Sequence, residues 1–164
     1  MASITYNRSD CSYNLRNRRI ISQWLHSVAR NEGYRIENLC YVFCRSEEIL
    51  KMNRQFLGHD YFTDVITFDY SNRKEGWVTG DVYIDVETVA DNARQLGFTR
   101  EREMQRVVVH GLLHLCGQKD KTPRTNRQMH RKEDLYLALL DAVVLAAQVK
   151  STAKNIDRDQ APAV

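Results

Sequence analysis

The sequence has little of what usually divides or staples a chain: 164 residues include two prolines, Pro123 and Pro162, seven glycines and four cysteines. With no Pro- or Gly-rich linker, no internal repeat and no low-complexity block before the last dozen residues, the expectation is one domain with its own core. No apolar run approaches the roughly 18 residues that span a bilayer. Met1 to Ser12 is mostly polar and lacks the basic-then-apolar layout of a secretory leader. These absences predict a cytoplasmic protein without a membrane role. Cys11, Cys40, Cys44 and Cys116 then read as reduced thiols in or near the core. Cys40 and Cys44 are poor joint metal ligands, because they fall in a segment that reads as a strand, where four residues span about 13 Å.

Net charge is also small. Lys and Arg number 24 against 21 Asp and Glu, for a net +3, which permits contact with nucleic acid but does not demand it. The surplus is uneven, with Lys119, Lys121, Arg124, Arg127, Arg131 and Lys132 gathered within fourteen positions. Such a run is ordinarily a solvated helix face. Beside a catalytic centre, phosphate binding is the alternative.

Periodicity supplies the elements. Ile4 to Tyr6 is a candidate first strand, and Leu15 to Asn31 carries apolar residues at helical spacing, closed by Gly33. Leu39 to Cys44 reads as a buried strand. Ser46 is positioned to cap a helix that Gly58 stops. Thr63 to Tyr70 and Trp77 to Ile84 are rich in β-branched and aromatic residues, and the polar stretch from Ser71 to Gly76 fits a hairpin loop. Helices follow: Val86 to Leu96, ended by Gly97; one capped by Thr99 that runs through His114 to Cys116, with Gly117 as its stop; and a last one from Asn126 to Val149. Ser151 to Val164 has no apolar period and reads as a disordered tail after a domain of residues 1–150. The predicted class is α+β, a small four-stranded mixed sheet packed against helices.

The segment from His110 to Asp120 carries the chemistry. Residues four apart on a helix lie one above the other, so the imidazoles of His110 and His114 can meet one cation. Gly117 turns the chain, and Asp120 can swing back to the same point. Two imidazoles and a carboxylate leave a fourth position open, as in a catalytic rather than a structural zinc site. The competing reading is that each histidine is a satisfied residue on an apolar helix face. Gly111 stands where zinc peptidases with H-E-x-x-H carry their glutamate base, which disfavours a peptidase. His26 and His130 have no partner at ligand spacing and read as surface or structural residues. Asp64 and Asp81 are candidate catalytic carboxylates near strand ends, with a structural hydrogen-bonding role as the alternative. Tyr61, Phe62 and Tyr83 offer stacking faces for unpaired bases, or core packing.

Four stretches together, HGLLHLCG with its acidic and basic continuation, MNRQFLGHDYFTDVITFDY, GDVYID and VADNAR, resemble the YbeY family of bacterial endoribonucleases from about Val42 to Leu137. The resemblance implies an α+β fold, zinc, cleavage of single-stranded RNA, and roles in 16S rRNA 3′-end maturation and ribosome quality control at the small subunit. Carried over by position, it makes His110, His114 and Asp120 the metal ligands. Most members are expected to have histidine at the third position. Where many members carry an arginine thought important for activity, this chain has Leu57; His59, Lys119, Lys121, Arg124, Arg127 and Arg131 are the candidate replacements for binding RNA. The rival expectation is a non-catalytic ribosome-assembly factor whose metal is structural.

Overall fold

The computed structural model describes residues 2–58 and 63–160. Among them are strands β1 (Ser3–Arg8), β2 (Arg35–Cys44), β3 (Val65–Asp69) and β4 (Trp77–Asp85), and helices α1 (Arg18–Asn31), α2 (Ser46–Met52), α3 (Val86–Leu96), α4 (Arg100–Leu115) and α5 (Pro123–Asp159). The sheet order is β1-β2-β4-β3. β1, β2 and β4 run parallel and β3 is antiparallel to β4, so the sheet is mixed, as predicted.

Alternation along β4 decides what each face does. Val78, Val82 and Ile84 are buried on the face that α4 covers, while Thr79, Asp81 and Tyr83 point the other way. Two glycines set the distance between β4 and α4. A Cβ on Gly111 would lie 2.6 Å from Cγ1 of Val82, and one on Gly80 would lie 2.8 Å from Cδ2 of Leu115. The buried Tyr41 hydroxyl donates to the carbonyl of Val108 at 2.8 Å, tying β2 to α4. The Trp24 indole N–H donates to the carbonyl of Tyr136 at 2.7 Å, tying α1 to α5. Buried groups paired in this way fix helix register as well as distance.

Three local expectations need correcting. Ser46 lies inside α2 and does not cap it; its N–H donates to the Glu87 carboxylate of α3 at 3.2 Å, and the N–H of Arg45 donates to Asp10 at 2.9 Å. The cap therefore comes from distant chain, which local sequence cannot reveal. Helix α5 starts at Pro123, earlier than Asn126, because Thr122 and Thr125 form a capping box with proline in the first turn. It also continues through residues 151–159, where a structureless tail was expected. No glycine or proline interrupts residues 124–159, so propagation, which adds one hydrogen bond per residue fixed, can carry the helix on. Every residue from 148 to 160 is exposed, so this extension adds nothing to the core.

The apolar-run expectation changes too. Helix α5 is the one helix, among the described residues, long and apolar enough by composition to cross a bilayer. Its first half instead packs Met129, Tyr136, Leu137 and Leu140 into the core. All four cysteines are free, and burial pushes the Cys44 and Cys116 thiols up to about 12, so neither is a ready metal thiolate.

Candidate metal centre

Helix α4 places His110 and His114 one turn apart near its end, with their rings 4.5 Å between centroids and nearly perpendicular. Gly117 adopts φ 93°, the left-handed conformation that glycine takes without strain, and reverses the chain behind the helix. Asp120 returns as a result. Its Oδ2 lies 3.4 Å from Nε2 of His110 and 3.2 Å from Nε2 of His114, and one ligand atom from each of the three falls within 4.8 Å of the others.

The spacing tests the fit of an ion. Bonds of about 2.1 Å in tetrahedral geometry put neighbouring donor atoms about 3.4 Å apart. Both carboxylate–imidazole separations match that edge length. The three side chains are 20%, 25% and 26% exposed, so the centre is held by protein on one side and reached by solvent on the other. The residues fit a divalent cation with an open coordination position.

The outer nitrogens are committed. Nδ1 of His114 lies 3.0 Å from the carbonyl of Gln118, which can only accept, so that nitrogen carries the proton and Nε2 is left as a lone pair. Nδ1 of His110 lies 2.7 Å from Glu133, a fully buried residue of α5. Carboxylate–histidine–metal contacts of this kind fix the tautomer and make the ligand more basic. Glu133 also meets Nη1 of Arg106 at 3.0 Å and Nδ1 of His130 at 3.1 Å. The two imidazoles consequently respond differently. Burial opposes the charged form of His110, but the Glu133 hydrogen bond and charge outweigh it and raise its pKa. Burial lowers that of His114, aided by the neighbouring His110. Burial raises Glu133, yet His110, His130 and Arg106 together hold it below its usual range.

Asp64 sits just before β3, where its carbonyl accepts the N–H of Asp85 at 2.9 Å. It lines a cavity of about 400 Å3 together with His110, Glu133, Arg106, His130 and Phe98. Burial raises its pKa, partly offset by His110. A wider hollow of about 890 Å3, between Tyr13, Arg45 and Arg100, contains none of the three ligands.

Of the residues singled out in the sequence, His110, His114, Asp120 and Asp64 come together. Asp81 does not: it is on the sheet face that α4 does not cover, beside Tyr83, and strand alternation forbids it from turning to the metal side. Tyr83 packs edge-on against Phe68 at 5.7 Å on that same face. Lys119, Lys121, Arg124, Arg127 and Arg131 are exposed and form no ion pair among the described residues. Lys132, from the same run, is committed to Glu32. His59, Tyr61 and Phe62 lie outside the described residues. Glu133 was missed altogether. Its one signal is an acidic residue on the same helical stripe as Met129, Tyr136, Leu137 and Leu140, where a lone carboxylate needs a partner.

An α+β domain with an open two-histidine, one-carboxylate centre at the end of a sheet-packed helix has the architecture of a metallohydrolase. The family model for Endoribonuclease YbeY matches residues 3–141. Curated relatives named Endoribonuclease YbeY include those of Cytophaga hutchinsonii, 47% identical over 84% of this chain and 95% of the relative, and of Porphyromonas gingivalis, 40% identical over 88% and 94%. The solution structure of TM1509 from Thermotoga maritima superposes with a TM-score of 0.61 at 24% identity, covering 88% of this chain and 93% of that one, which shows the same fold. The chain belongs to the YbeY endoribonuclease family.

Proposed function

We propose that the protein is a single-strand-specific endoribonuclease that hydrolyses RNA, with zinc as the ion held by His110, His114 and Asp120. Its proposed setting is the cytoplasm, in 16S rRNA 3′-end maturation and ribosome quality control, with the ribosomal small subunit as partner. The observation that carries this reading is the spacing of the three donor atoms, which suits one tetrahedral cation and leaves a face open to solvent. A donor set of two imidazoles and one carboxylate suits zinc. Bound there, the ion supplies Lewis acidity to a phosphoryl oxygen and to the attacking water.

The chain's own groups do the rest. Asp64 borders the same cavity as His110, and a carboxylate whose pKa is raised by burial is the better acceptor for the proton of an attacking water. The exposed Lys119 and Lys121 flank Asp120, and Arg124, Arg127 and Arg131 continue along the outer face of α5. These exposed cations steady the RNA backbone in place of the arginine that position 57 lacks.

The test is cleavage of a single-stranded RNA by purified protein, with and without chelator, beside a His114→Ala variant and metal analysis. Zinc-dependent cleavage lost in the variant is the expected result. RNA binding with no cleavage in any sample would instead identify an assembly factor.

A further inference from the structure

Helix α5 carries two apolar faces, and only one of them is used. The inner face buries Met129, Tyr136, Leu137 and Leu140. On the opposite side, Leu135, Ala138, Ala142, Leu145, Val149, Thr152 and Ile156 follow one another at alternating steps of three and four. That is the a/d pattern of a coiled-coil seam, sustained over three heptads. Leu135, Leu145, Val149 and Ile156 are 63%, 62%, 61% and 51% exposed, where a soluble helix normally presents polar residues. The YbeY family model ends at residue 141, so most of the seam belongs to a part of the chain that the family match does not cover.

We propose that this seam pairs with the same seam of a second copy, forming an antiparallel two-helix coiled coil that makes the protein a dimer. Three observations point to a second copy. The seam is largely self-complementary when the helices run antiparallel: Leu145 falls opposite Ala142, Val149 opposite Ala138, and Leu135 opposite Thr152, so these three large side chains each meet a small one, while Ile156 falls opposite Arg131. A parallel pair would stack alanine on alanine in two layers and leave gaps.

Charge agrees with this arrangement. The flanking positions Ala146, Gln148, Ala153 and Asn155 are neutral, and Lys150, Lys154, Asp157 and Arg158 lie off the seam. Asp141, the acidic residue closest to the middle of the seam, is drawn towards α4 by a two-pronged bond to Arg102, at 2.9 Å for each prong.

Size is the third observation. From Leu135 to Ile156 the helix runs about 33 Å, and two such seams bury on the order of 1,000 Å2, the floor for specific association. A narrow seam without Trp or Phe, on a helix whose last turns carry near-balanced charge, is poorly suited to a lipid surface.

Sedimentation equilibrium of the full chain from about 1 to 100 µM tests the proposal by mass action. The expected result is a monomer–dimer transition within that range, abolished in a Leu145→Glu/Val149→Glu double variant whose melting temperature at the lowest concentration and metal content are unchanged. Mixing an Ala138→Cys variant with a Val149→Cys variant under mild oxidation should give a mixed disulfide dimer. Monomer at every concentration overturns the proposal, as does flotation of the wild type, but not the double variant, with phosphatidylglycerol vesicles in the absence of self-association. Self-linking of each cysteine variant alone overturns the antiparallel arrangement.

Discussion

Helices α4 and α5 both advertise themselves by apolar periodicity, yet they are built to different tolerances. In α4, nine of sixteen residues are buried, whereas in α5 five of 37 are. The dense helix carries His110 and His114, whose Nε2 atoms are held 3.4 and 3.2 Å from the Asp120 carboxylate. It is therefore locked from every side: by the Gly111–Val82 contact, by the Tyr41 hydroxyl, and by Glu133 reaching across from α5. The sparse helix contributes to the centre only where it touches α4, and beyond Val144 it leaves the domain behind. Packing density is spent where geometry carries chemistry, and a helix beyond that region is free to acquire a different use.

The contrast predicts a gradient of mutational effects. The steepest belongs to Asp120. Its replacement by alanine leaves two imidazoles, a weaker site, and should remove most bound metal and with it cleavage; Asp120→His should keep the metal. A carboxylate donates more negative charge than an imidazole and leaves a coordinated water less acidic, so the histidine variant's activity should rise at lower pH than the parent's. Metal analysis and a pH–rate profile measure both halves. Full metal in Asp120→Ala would mean that the third ligand is elsewhere, and the centre would lose its central assignment.

Glu133→Gln comes next, because it acts on the metal through His110. Removing a carboxylate partner of a ligating histidine typically lowers metal affinity by about 10- to 100-fold. Competition with a chromophoric chelator reads this directly. An affinity equal to that of the parent would show that Glu133 serves only the fold.

Gly111→Ala tests the dense helix itself. The new Cβ would sit 2.6 Å from Val82, a stiff side chain within the sheet, and overpacking of this kind costs about 1–3 kcal/mol. Chemical denaturation should show that loss, and an unchanged midpoint would mean that α4 is looser than its burial implies.

Asp64 offers a smaller effect of opposite sign. Its pKa is raised in the folded protein, chiefly by burial, so its proton is held more tightly folded than unfolded. Stability from this group is then present at low pH and declines as pH rises through the folded pKa. In metal-free protein, Asp64→Asn should melt higher than the parent at neutral pH while losing cleavage activity, and the two should converge in acid. A variant that melts lower at neutral pH would assign Asp64 a structural hydrogen-bonding role instead.

The smallest change is expected at the far end of the sparse helix. Among the described residues, truncation at Lys150 removes exposed ones only, and it should leave the melting temperature of the monomer nearly unchanged at about 1 µM, where mass action disfavours association. A large drop would show that the extension docks on the domain.

Local order accounts for what was readable from residues alone. The i, i+4 histidines, the glycine stop and the returning aspartate lie within eleven consecutive positions, and helical geometry then leaves little choice but to bring them together. The mixed sheet and most helix limits follow from patterning of the same local kind, since glycines and caps sit beside the elements they end. Asp81 was misplaced because a carboxylate near a strand end shows its face only once the register of β4 under α4 is known. Ser46 looked like a cap, and only the approach of α3 put Glu87 there instead. Glu133 lies 23 positions after His110, and nothing in the intervening residues announces that α5 folds back onto α4.

By itself, then, the sequence determined the His110–His114–Asp120 cluster, the α+β class and most helix stops, because each depends on neighbours a few residues apart. Tertiary structure alone decided which carboxylates attend that cluster, how closely α4 lies on β4, and which face of α5 remains uncovered. These depend on contacts between segments far apart in the chain, where burial and register, rather than local propensity, set the free energy.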